Sequence, residues 1–492
     1  MLIFFTMSKY NILKRGRFVV KDKNSSASQT PKRKKFELPH IYVILFVLIA
    51  LAAIASYIVP AGEFEREMVD GRSIIIPGTF EFIAQNPVGI LDFMTAIPRG
   101  VQETVIIIFG ILAIGAMFRI LETSGVIDLI INFLIDKFGD KGLLIFPVII
   151  VPLAVFVSLT GNIESSLIFI PAFLPLFLKL GYDRMAAAGA ILIATVVGFS
   201  SALTAPANLG TAQTIAELPL FSGMGYRAVM LTVLTTVGIL FVMAYARRVM
   251  KDPSRSLLSD NIDNNQFLRE DDERQPMSKR VVVATFVFIG LLGFMLFGIF
   301  EYNWYFIELA GFYIFTGIIV GLIAGLKPSN IAESMNEGAR TILLGALIVG
   351  VARAISIMLE DGLIMDTVVN SLSSLVTLLP DWLVPVAMMV VQGIINFFIP
   401  SGSGQAAATM PIMIGIVDLV EMTRQTSILA FLYGDGFSNI FYPTSGYFMA
   451  ALAIAKIKYT DWMKFIWPLL LVWYLVAAAG LVVAFFIEYG PF

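Results

Sequence analysis

Long apolar runs separated by short polar breaks dominate the hydrophobic pattern of this chain. Three runs exceed the ~18 apolar residues typical of a membrane-spanning helix: Ile41–Val59, Val281–Phe300 and Phe465–Ile487. Two polar breaks that contain glycine, Ser158–Ser166 and Ile399–Gln405, interrupt other apolar stretches. At bilayer depth, irregular backbone is tolerated only where it lines a cavity enclosed by protein. Two such breaks in corresponding positions of two halves indicate the binding site of a transporter.

The apolar pattern predicts about nine spans and two re-entrant hairpins in an all-α polytopic membrane protein. The predicted spans are 41–59, about 101–121, 186–216, 227–246, 281–300, 304–326, about 338–358, 425–455 and 463–487, and the hairpins are 142–180 and 382–421. Two full spans are an alternative for 142–180. The hairpin is preferred because it keeps Lys179–Arg184 on the cytoplasmic side. Amphipathic segments at 125–140 and 362–379 are predicted to lie in the membrane interface.

Polar segments divide the chain into a tail, two halves and a linker. Residues 1–39 carry ten Lys or Arg against two acids, which predicts a disordered basic cytoplasmic tail. The first half, 40–250, and the second half, 281–492, are joined by a polar linker at 251–280. Residues 63–98 are predicted to form an external loop. The basic residues favour a cytoplasmic N-terminus and linker, in a multi-pass protein of the cytoplasmic membrane.

Composition supports the membrane class and excludes several kinds of site. Of the residues, 58% are hydrophobic and only 14% charged, against about 25% charged in soluble domains. The chain has no cysteine, which excludes disulfides, thiolate metal sites and cysteine nucleophiles. The one histidine, His40, lies where the first span meets water, and no phosphate-binding Gly-rich lysine motif occurs. We therefore expect neither ATP hydrolysis nor another enzymatic activity.

The two halves align with each other at an offset of 238 to 240 residues. The matches are Gly100 with Gly338, Glu122 with Glu360, Asp128 with Asp366, Gly161 with Ser401, Pro171 with Pro411, and Gly198–Ser200 with Gly436–Ser438. A second break follows each half's last match, at Thr204–Gly210 and Tyr442–Gly446, where Pro206 and Pro443 interrupt helical hydrogen bonding. On the predicted topology, repeats at about 100–246 and 338–487 have opposite orientations, as in many secondary carriers.

With its motifs Gly161–Ser166, Gly198–Asn208 and Gly434–Ser445, the chain resembles YfcC-type carriers of the C4-dicarboxylate anaerobic carrier family, within the ion transporter superfamily. The resemblance covers nearly the whole chain. It implies a scaffold domain, a transport domain that carries both hairpins, elevator-like movement and, in many members, a homodimer. Members resemble carriers of dicarboxylates in some branches and of basic amino acids in others. The tips read Thr160–Asn162 and Ser401–Ser403, which departs from the superfamily's Ser-Asn-Thr sodium signature.

Glu164 and Asp435 are the strongest candidates for functional side chains. An intramembrane carboxylate costs roughly 2.5–3.5 kcal/mol at a helix centre, so it is normally paired or functional. Two such acids favour a cationic or zwitterionic substrate, although buried structural acids are an alternative. Arg353, within the predicted span 338–358, either binds a substrate carboxylate, pairs with an acid or marks a helix end. Further hydrogen-bonding ligands, or contacts between helices, are Asn162, Ser165, Ser200, Ser201, Asn208, Thr211, Ser401, Ser403, Ser438, Asn439, Thr444 and Ser445.

These observations predict a secondary active transporter of a small charged metabolite. A basic amino acid resembling arginine or ornithine, moved by exchange or cation coupling, is the favoured substrate. A C4-dicarboxylate carrier is the alternative within this class. An ion channel is the alternative outside it, but it would require a continuous polar lining. The expected partners are the substrate and the lipid bilayer, without nucleic acid. No cofactor is expected, and Na⁺ or H⁺ is the candidate coupling ion.

Overall fold

Helices form most of the part of the chain that the structure describes. The computed structural model describes residues 41–69, 72–259, 278–302, 304, 306–420 and 422–490. The helices are α1 (Ile41–Ala55), α2 (Ile90–Glu103), α3 (Val105–Thr123), α4 (Val126–Phe138), α5 (Ile145–Thr160), α6 (Ser166–Lys179), α7 (Arg184–Ser200), α8 (Thr211–Ile215), α9 (Met224–Lys251), α10 (Lys279–Tyr302), α11 (Phe306–Ala324), α12 (Pro328–Asp361), α13 (Met365–Ser374), α14 (Val384–Phe398), α15 (Gly402–Val417), α16 (Arg424–Ser438), α17 (Gly446–Ile454) and α18 (Tyr459–Phe486). The predicted tail at 1–39 and residues 260–277 of the predicted linker lie outside the described residues.

Within the described residues, eight helices are long and apolar enough to cross a membrane. They are Val105–Thr123, Gly142–Thr160, Met224–Lys251, Lys279–Ile299, Ile307–Ala324, Pro328–Asp361, Asp381–Phe398 and Tyr459–Phe486. Two of these eight, Gly142–Thr160 and Asp381–Phe398, fall in the segments predicted as re-entrant hairpins. Length and composition therefore identify a multi-pass membrane protein.

Three of the nine predicted spans do not appear among these eight helices. The described part of α1 has 15 residues, which is fewer than the ~18 apolar residues typical of a membrane-spanning helix. The predicted spans 186–216 and 425–455 are each broken: α7 ends at Ser200, before a π-helical turn at Pro206–Gly210 leads into α8, and α16 ends at Ser438, before α17 begins. Each break contains a proline, which cannot donate the backbone hydrogen bond that a continuous helix requires.

The prediction of an all-α fold is wrong in the loop that precedes α2. Four short strands lie there: β1 (Gly62–Glu63), β2 (Arg66–Val69), β3 (Arg72–Ile75) and β4 (Glu81–Phe82). The strands β1 and β4 pair antiparallel, as do β2 and β3. The Phe64 amide donates to Asp366 Oδ2 at 3.0 Å, and Arg66 Nη2 lies 2.6 Å from Asp366 Oδ1. These contacts attach the strands to α13, a partner 300 residues away that local sequence patterns do not reveal.

The helix α12 is longer than predicted and lies against α1, α2, α3 and α17. It has 34 residues and begins at Pro328 rather than near Gly338, so it is about 51 Å long. Proline favours the first position of a helix, which explains the earlier start. The backbone of Gly100 in α2 touches that of Gly350, and Gly338 touches Gly115 of α3. A side chain at either Gly100 or Gly338 would collide with backbone, so these matched glycines allow close helix packing.

Candidate substrate site at the two broken helices

The site is built from two broken helices, each packed against two neighbouring helices that flank a polar tip. The helix α7 packs against α5 and α6, and α16 packs against α14 and α15. The first polar tip, between α5 and α6, turns at Gly161 with φ of +72°. That backbone angle favours glycine because it carries no Cβ atom. The second tip ends at Ser401, whose Oγ accepts a hydrogen bond from the Gly404 amide at 3.3 Å and caps α15.

Both polar tips approach Asn208 in the first helix break. A Cβ atom placed on Gly161 would lie 3.5 Å from Asn208 Oδ1, and one placed on Gly402 would lie 3.0 Å from Asn208 Cβ. Asn208 itself is buried, and its Nδ2 donates to the Phe199 carbonyl at 3.3 Å. The structure therefore brings together two tips that are about 240 residues apart in the sequence.

The two broken helices touch each other where their longer segments end. The backbone of Gly436 in α16 lies against Ser200 of α7, close enough that a Cβ atom at Gly436 would collide with it. The Ser200 hydroxyl donates to the Val196 carbonyl at 2.7 Å, within its own helix. After Ser200, the Leu203 amide donates to the Ser158 carbonyl at 2.6 Å, so the first break is attached to the end of α5.

Asp435 is a buried carboxylate with one oxygen held by the protein. Asn439 Nδ2 donates to Asp435 Oδ1 at 3.1 Å. Asp435 Oδ2 has no hydrogen-bond partner among the described residues, and a Cβ atom on Gly402 would lie 3.1 Å from it. Asn396 Nδ2 donates to the backbone carbonyl of Asp435 at 3.1 Å and to Ser438 Oγ at 2.7 Å. One Asp435 oxygen thus faces the second tip and has no donor there.

Glu164 lies in the 3-10 turn Ile163–Ser165 at the first tip and is partly exposed. Tyr447, at the start of α17, is buried and close enough to interact electrostatically with both Glu164 and Asp435. The Tyr447 hydroxyl donates to the Asn439 carbonyl at 3.3 Å. In the described part of the chain, no basic side chain forms an ion pair with Glu164 or Asp435. Both carboxylates therefore lie near Tyr447 without a compensating cation from those residues.

Arg353 pairs with acids near the C-terminal end of α12. Its Nε lies 2.7 Å from Glu103 Oε2, its Nη2 lies 3.0 Å from Glu360 Oε1, and 31% of its side chain is exposed. Arg353, which its place within the predicted span 338–358 leads one to expect buried, is therefore only partly buried. Of the alternatives open from the sequence, pairing with an acid is the observed arrangement. Binding of a substrate carboxylate by Arg353 stays a prediction.

The remaining predicted residues occupy the tips and breaks in different environments. Ser201 and Thr444 are buried, and their hydroxyls have no hydrogen-bond partner within the described ranges. Ser445 Oγ donates to Asn439 Oδ1 at 3.2 Å. Among the others, Ser438 is buried, Asn162 and Ser403 are half-buried, and Ser401 is exposed. Thr211 Oγ1 donates a hydrogen bond to the Ala207 carbonyl. The side chain of Ser165 lies outside the described part of the structure.

Sequence reasoning missed a buried group of amides beside the second tip. Gln405 Nε2 donates to Gln392 Oε1 at 2.7 Å, and Gln392 Nε2 donates to Thr409 Oγ1 at 3.0 Å, so α14 and α15 are joined inside the protein. Asn396 lies one turn after Gln392 and holds Asp435 as described above. The signal was present in the sequence, because Gln392 and Asn396 are amides four residues apart in an apolar segment.

The sequence also matches a known protein family. The model of the family described as "C4-dicarboxylate anaerobic carrier" matches residues 38–486. The chain belongs to this family. This carrier is thus a multi-pass membrane transporter, and its family consists of carriers rather than enzymes.

Individual proteins are similar to this carrier over nearly their whole length. An Escherichia coli (strain K12) protein named "Putative basic amino acid antiporter YfcC" is 30% identical over 483 residues, covering 89% of this carrier and 95% of the relative. An uncharacterized Haemophilus influenzae protein is 26% identical over 487 residues, with the same coverage.

Two solved structures also align with this carrier. Neisseria gonorrhoeae MtrF, from a class of antimetabolite efflux pumps, has 18% identity, a TM-score of 0.44 and coverage of 93% of this carrier and 98% of MtrF. The Alcanivorax borkumensis YdaH transporter has 15% identity, a TM-score of 0.46 and coverage of 92% and 100%.

Proposed function

We propose that this carrier is a secondary active transporter that exchanges a basic amino acid, resembling arginine or ornithine, across the cytoplasmic membrane. The observation that carries this proposal is the pair Glu164 and Asp435. Both lie near Tyr447, and neither has a basic partner among the described residues. A guanidinium or ammonium group would supply the missing positive charge. The name of the Escherichia coli relative supports the same substrate class.

Donor and acceptor chemistry at the breaks supports a substrate with a cationic end and a carboxylate end. Asp435 Oδ2 can only accept hydrogen bonds while it is ionised, so a guanidinium fork suits it. The hydroxyls of Ser201 and Thr444 have no partner among the described residues and can donate to a carboxylate. The start of α17, directly after Ser445, provides backbone amides and a positive dipole end for the same group. A bound zwitterion or cation therefore finds complementary partners for both ends.

We further propose that the two halves form an inverted-topology repeat with two re-entrant hairpins, and that the carrier works as an elevator. The match in element order supports the repeat: a tip flanked by α5 and α6 precedes the broken pair α7–α8, and a tip flanked by α14 and α15 precedes α16–α17. In this proposal the hairpins and broken helices move together against a scaffold that includes α12. The N-terminus is cytoplasmic, the functional unit is a homodimer, and Na⁺ or H⁺ couples any net uptake.

The decisive experiment is counterflow in liposomes that contain the purified carrier. The liposomes are loaded with unlabelled arginine, and uptake of labelled arginine is measured, with succinate loading and labelled succinate in parallel. Accumulation of arginine alone is the expected result. Accumulation of succinate alone would replace the proposal with a C4-dicarboxylate carrier and would bring Arg353 forward as a ligand. Single-channel current without counterflow would indicate a channel.

A further inference from the structure

Two arginines begin the two broken helices and occupy equivalent positions. Arg184 is the first residue of α7 and Arg424 the first residue of α16, an offset of 240 residues. The residue before each arginine caps its helix in the same way: Asp183 Oδ1 accepts from the Ala186 amide, and the side chain of Thr423 accepts from the Thr426 amide. The two helices therefore begin in the same way, with an arginine directly after the capping residue.

Instead, each arginine bonds to the end of the short helix of the other half. Arg184 Nη1 donates to the carbonyls of Ala455, at 3.2 Å, and Lys456, at 2.5 Å, which follow the last turn of α17. Arg424 Nη1 donates to the carbonyl of Ala216, at 3.1 Å, which follows α8. Ala216 and Ala455 each directly follow the last residue of their short helix, so the two bonds are equivalent and reciprocal.

The ends of the two short helices are built alike. Glu217 and Lys456 both adopt positive φ values, +56° and +51°, although neither is glycine. The next residue in each case donates its backbone amide to the carbonyl five residues earlier. These hydrogen bonds run from Leu218 to Gln213 and from Ile457 to Leu452. Such a terminus leaves carbonyls that a cation satisfies favourably.

These contacts also give the relative direction of the broken helices. The short helix α17 runs from the second break to the start of α7, and α8 runs from the first break to the start of α16. The long segments meet at Ser200 and Gly436, between the two arginines. The pairs α7–α8 and α16–α17 therefore run antiparallel, with one arginine at each end of the combined structure.

We propose that Arg184 and Arg424 are reciprocal positioning residues, each of which fixes the short helix that the opposite half contributes to the substrate site. The inference rests on the proposed function only in treating the two breaks as that site. The helices α8 and α17 have five and nine residues, too short to be stable by themselves. The site holds their first residues, and an arginine holds their last. Removing the arginine releases one end of the helix.

Arg184 and Arg424 differ in how far the protein shields their contacts from water. Arg184 is 1% exposed, so its contacts are shielded from water and salt. Arg424 is 28% exposed and also pairs with Asp418 at 2.8 Å and Glu217 at 3.3 Å. Because solvent weakens exposed ion pairs, substitution of Arg184 has the larger effect.

Thiol labelling on this cysteine-free chain tests the crossed arrangement without any transport assay. Ile215 and Ile454 are half-buried, equivalent residues at the ends of α8 and α17. Each is replaced singly, as Ile215→Cys or Ile454→Cys, and the rate of maleimide labelling is measured in purified protein. Arg184→Lys should raise labelling at position 454 about tenfold, equivalent to about 1.4 kcal/mol, and leave position 215 unchanged. Arg424→Lys should raise labelling at position 215 by a smaller factor and leave 454 unchanged.

The alternative outcomes are equally specific. An uncrossed pattern, in which Arg184→Lys acts at 215 and Arg424→Lys at 454, would overturn the proposal, as would unchanged rates at both reporters. Arg184→Gln, which is uncharged, is measured beside Arg184→Lys, and a positioning role requires the larger effect from Gln. If only one of the two variants can be purified, its labelling rates at positions 454 and 215 decide the test. Arg340→Lys, at an exposed arginine of α12, should change neither rate. Absent arginine counterflow with an intact crossed pattern would defeat the proposed substrate while leaving the positioning role in place.

Discussion

At the scale of single residues, the observation that matters most is a carboxylate that is only half satisfied. Asp435 receives one side-chain hydrogen bond, from Asn439, and its second oxygen faces Gly402. A buried carboxylate oxygen without a donor is unfavourable, and under the proposed function a bound cation would complete it. Glu164 is more accessible, at the tip beside the first break. The two acids thus differ in exposure, and under the proposed function this suits Asp435 to hold a cation and Glu164 to attract one.

Neutral substitutions of these acids should remove transport while the carrier still folds. We expect Asp435→Asn and Glu164→Gln to lower arginine counterflow by at least about thirtyfold, since losing the partner of a buried charge costs roughly 2–5 kcal/mol. Asp381→Asn and Glu333→Gln, at exposed acids, are the matched controls and should retain wild-type rates. Membrane expression and thermal stability are measured for all four. Wild-type counterflow in both test variants would exclude these acids from the site.

At the scale of elements, close packing between helices depends on glycines in both halves. Gly198 of α7 lies against the backbone of α5 near Ala154 and Ser158. Gly434 of α16 lies against α14 near Met389 and Gly393 in the same manner. Small residues allow helix backbones to approach in membranes, where van der Waals packing replaces the hydrophobic effect as the driving force. The glycines in the two motifs therefore serve packing.

A single methyl group should reveal the tightest of these contacts. We expect Gly436→Ala to destabilise the carrier by about 1–3 kcal/mol, because the added Cβ atom meets the backbone and side chain of Ser200 rather than a flexible side-chain end. The measurement is thermal or denaturant unfolding of the detergent-solubilised protein. Gly415→Ala in α15 is the control, since nothing lies within 4 Å of its added Cβ atom. Equal stability of the two variants would contradict a tight contact between Gly436 and Ser200.

At the scale of the whole molecule, the central question is the orientation of the two halves in the membrane. The polar tips are poor reporters of it, because both approach the same residue, Asn208. The loops before α7 and α16 are better reporters, since they lie at opposite ends of the antiparallel broken helices. Gly181 is exposed before α7, and Leu419 is 84% exposed before α16.

Side-specific labelling at these loops tests the inverted repeat. We expect a membrane-impermeant maleimide to label Leu419→Cys in intact cells and Gly181→Cys only after the cells are permeabilised. The physical reason is the positive-inside rule, which places Lys179–Arg184 in the cytoplasm. The cysteine-free parent protein controls for background labelling. Labelling of both positions from the same side would contradict opposite orientations of the halves.

Much of the architecture could be predicted because bilayer and water impose different compositions on the chain. Apolar length predicted membrane helices such as α10 and α18, and proline with polar residues predicted the breaks after Ser200 and Ser438. The four short strands β1 to β4 were not predicted, because Asp366, which holds them in place through Phe64 and Arg66, lies 300 residues away in the sequence. The early start of α12 was missed because its first turns are polar.

The sequence by itself determined the membrane class, the family, the two tips and the two breaks, and it predicted the candidate acids Glu164 and Asp435. These features are local, since hydropathy, proline and glycine act within a few residues of their positions. Only the tertiary structure decided that both tips meet at Asn208, that Arg353 pairs with Glu103 and Glu360, and that Arg184 and Arg424 cross between the halves. Such contacts join residues hundreds of positions apart. Packing and hydrogen-bond geometry select them, and neither is encoded in the local hydrophobic pattern.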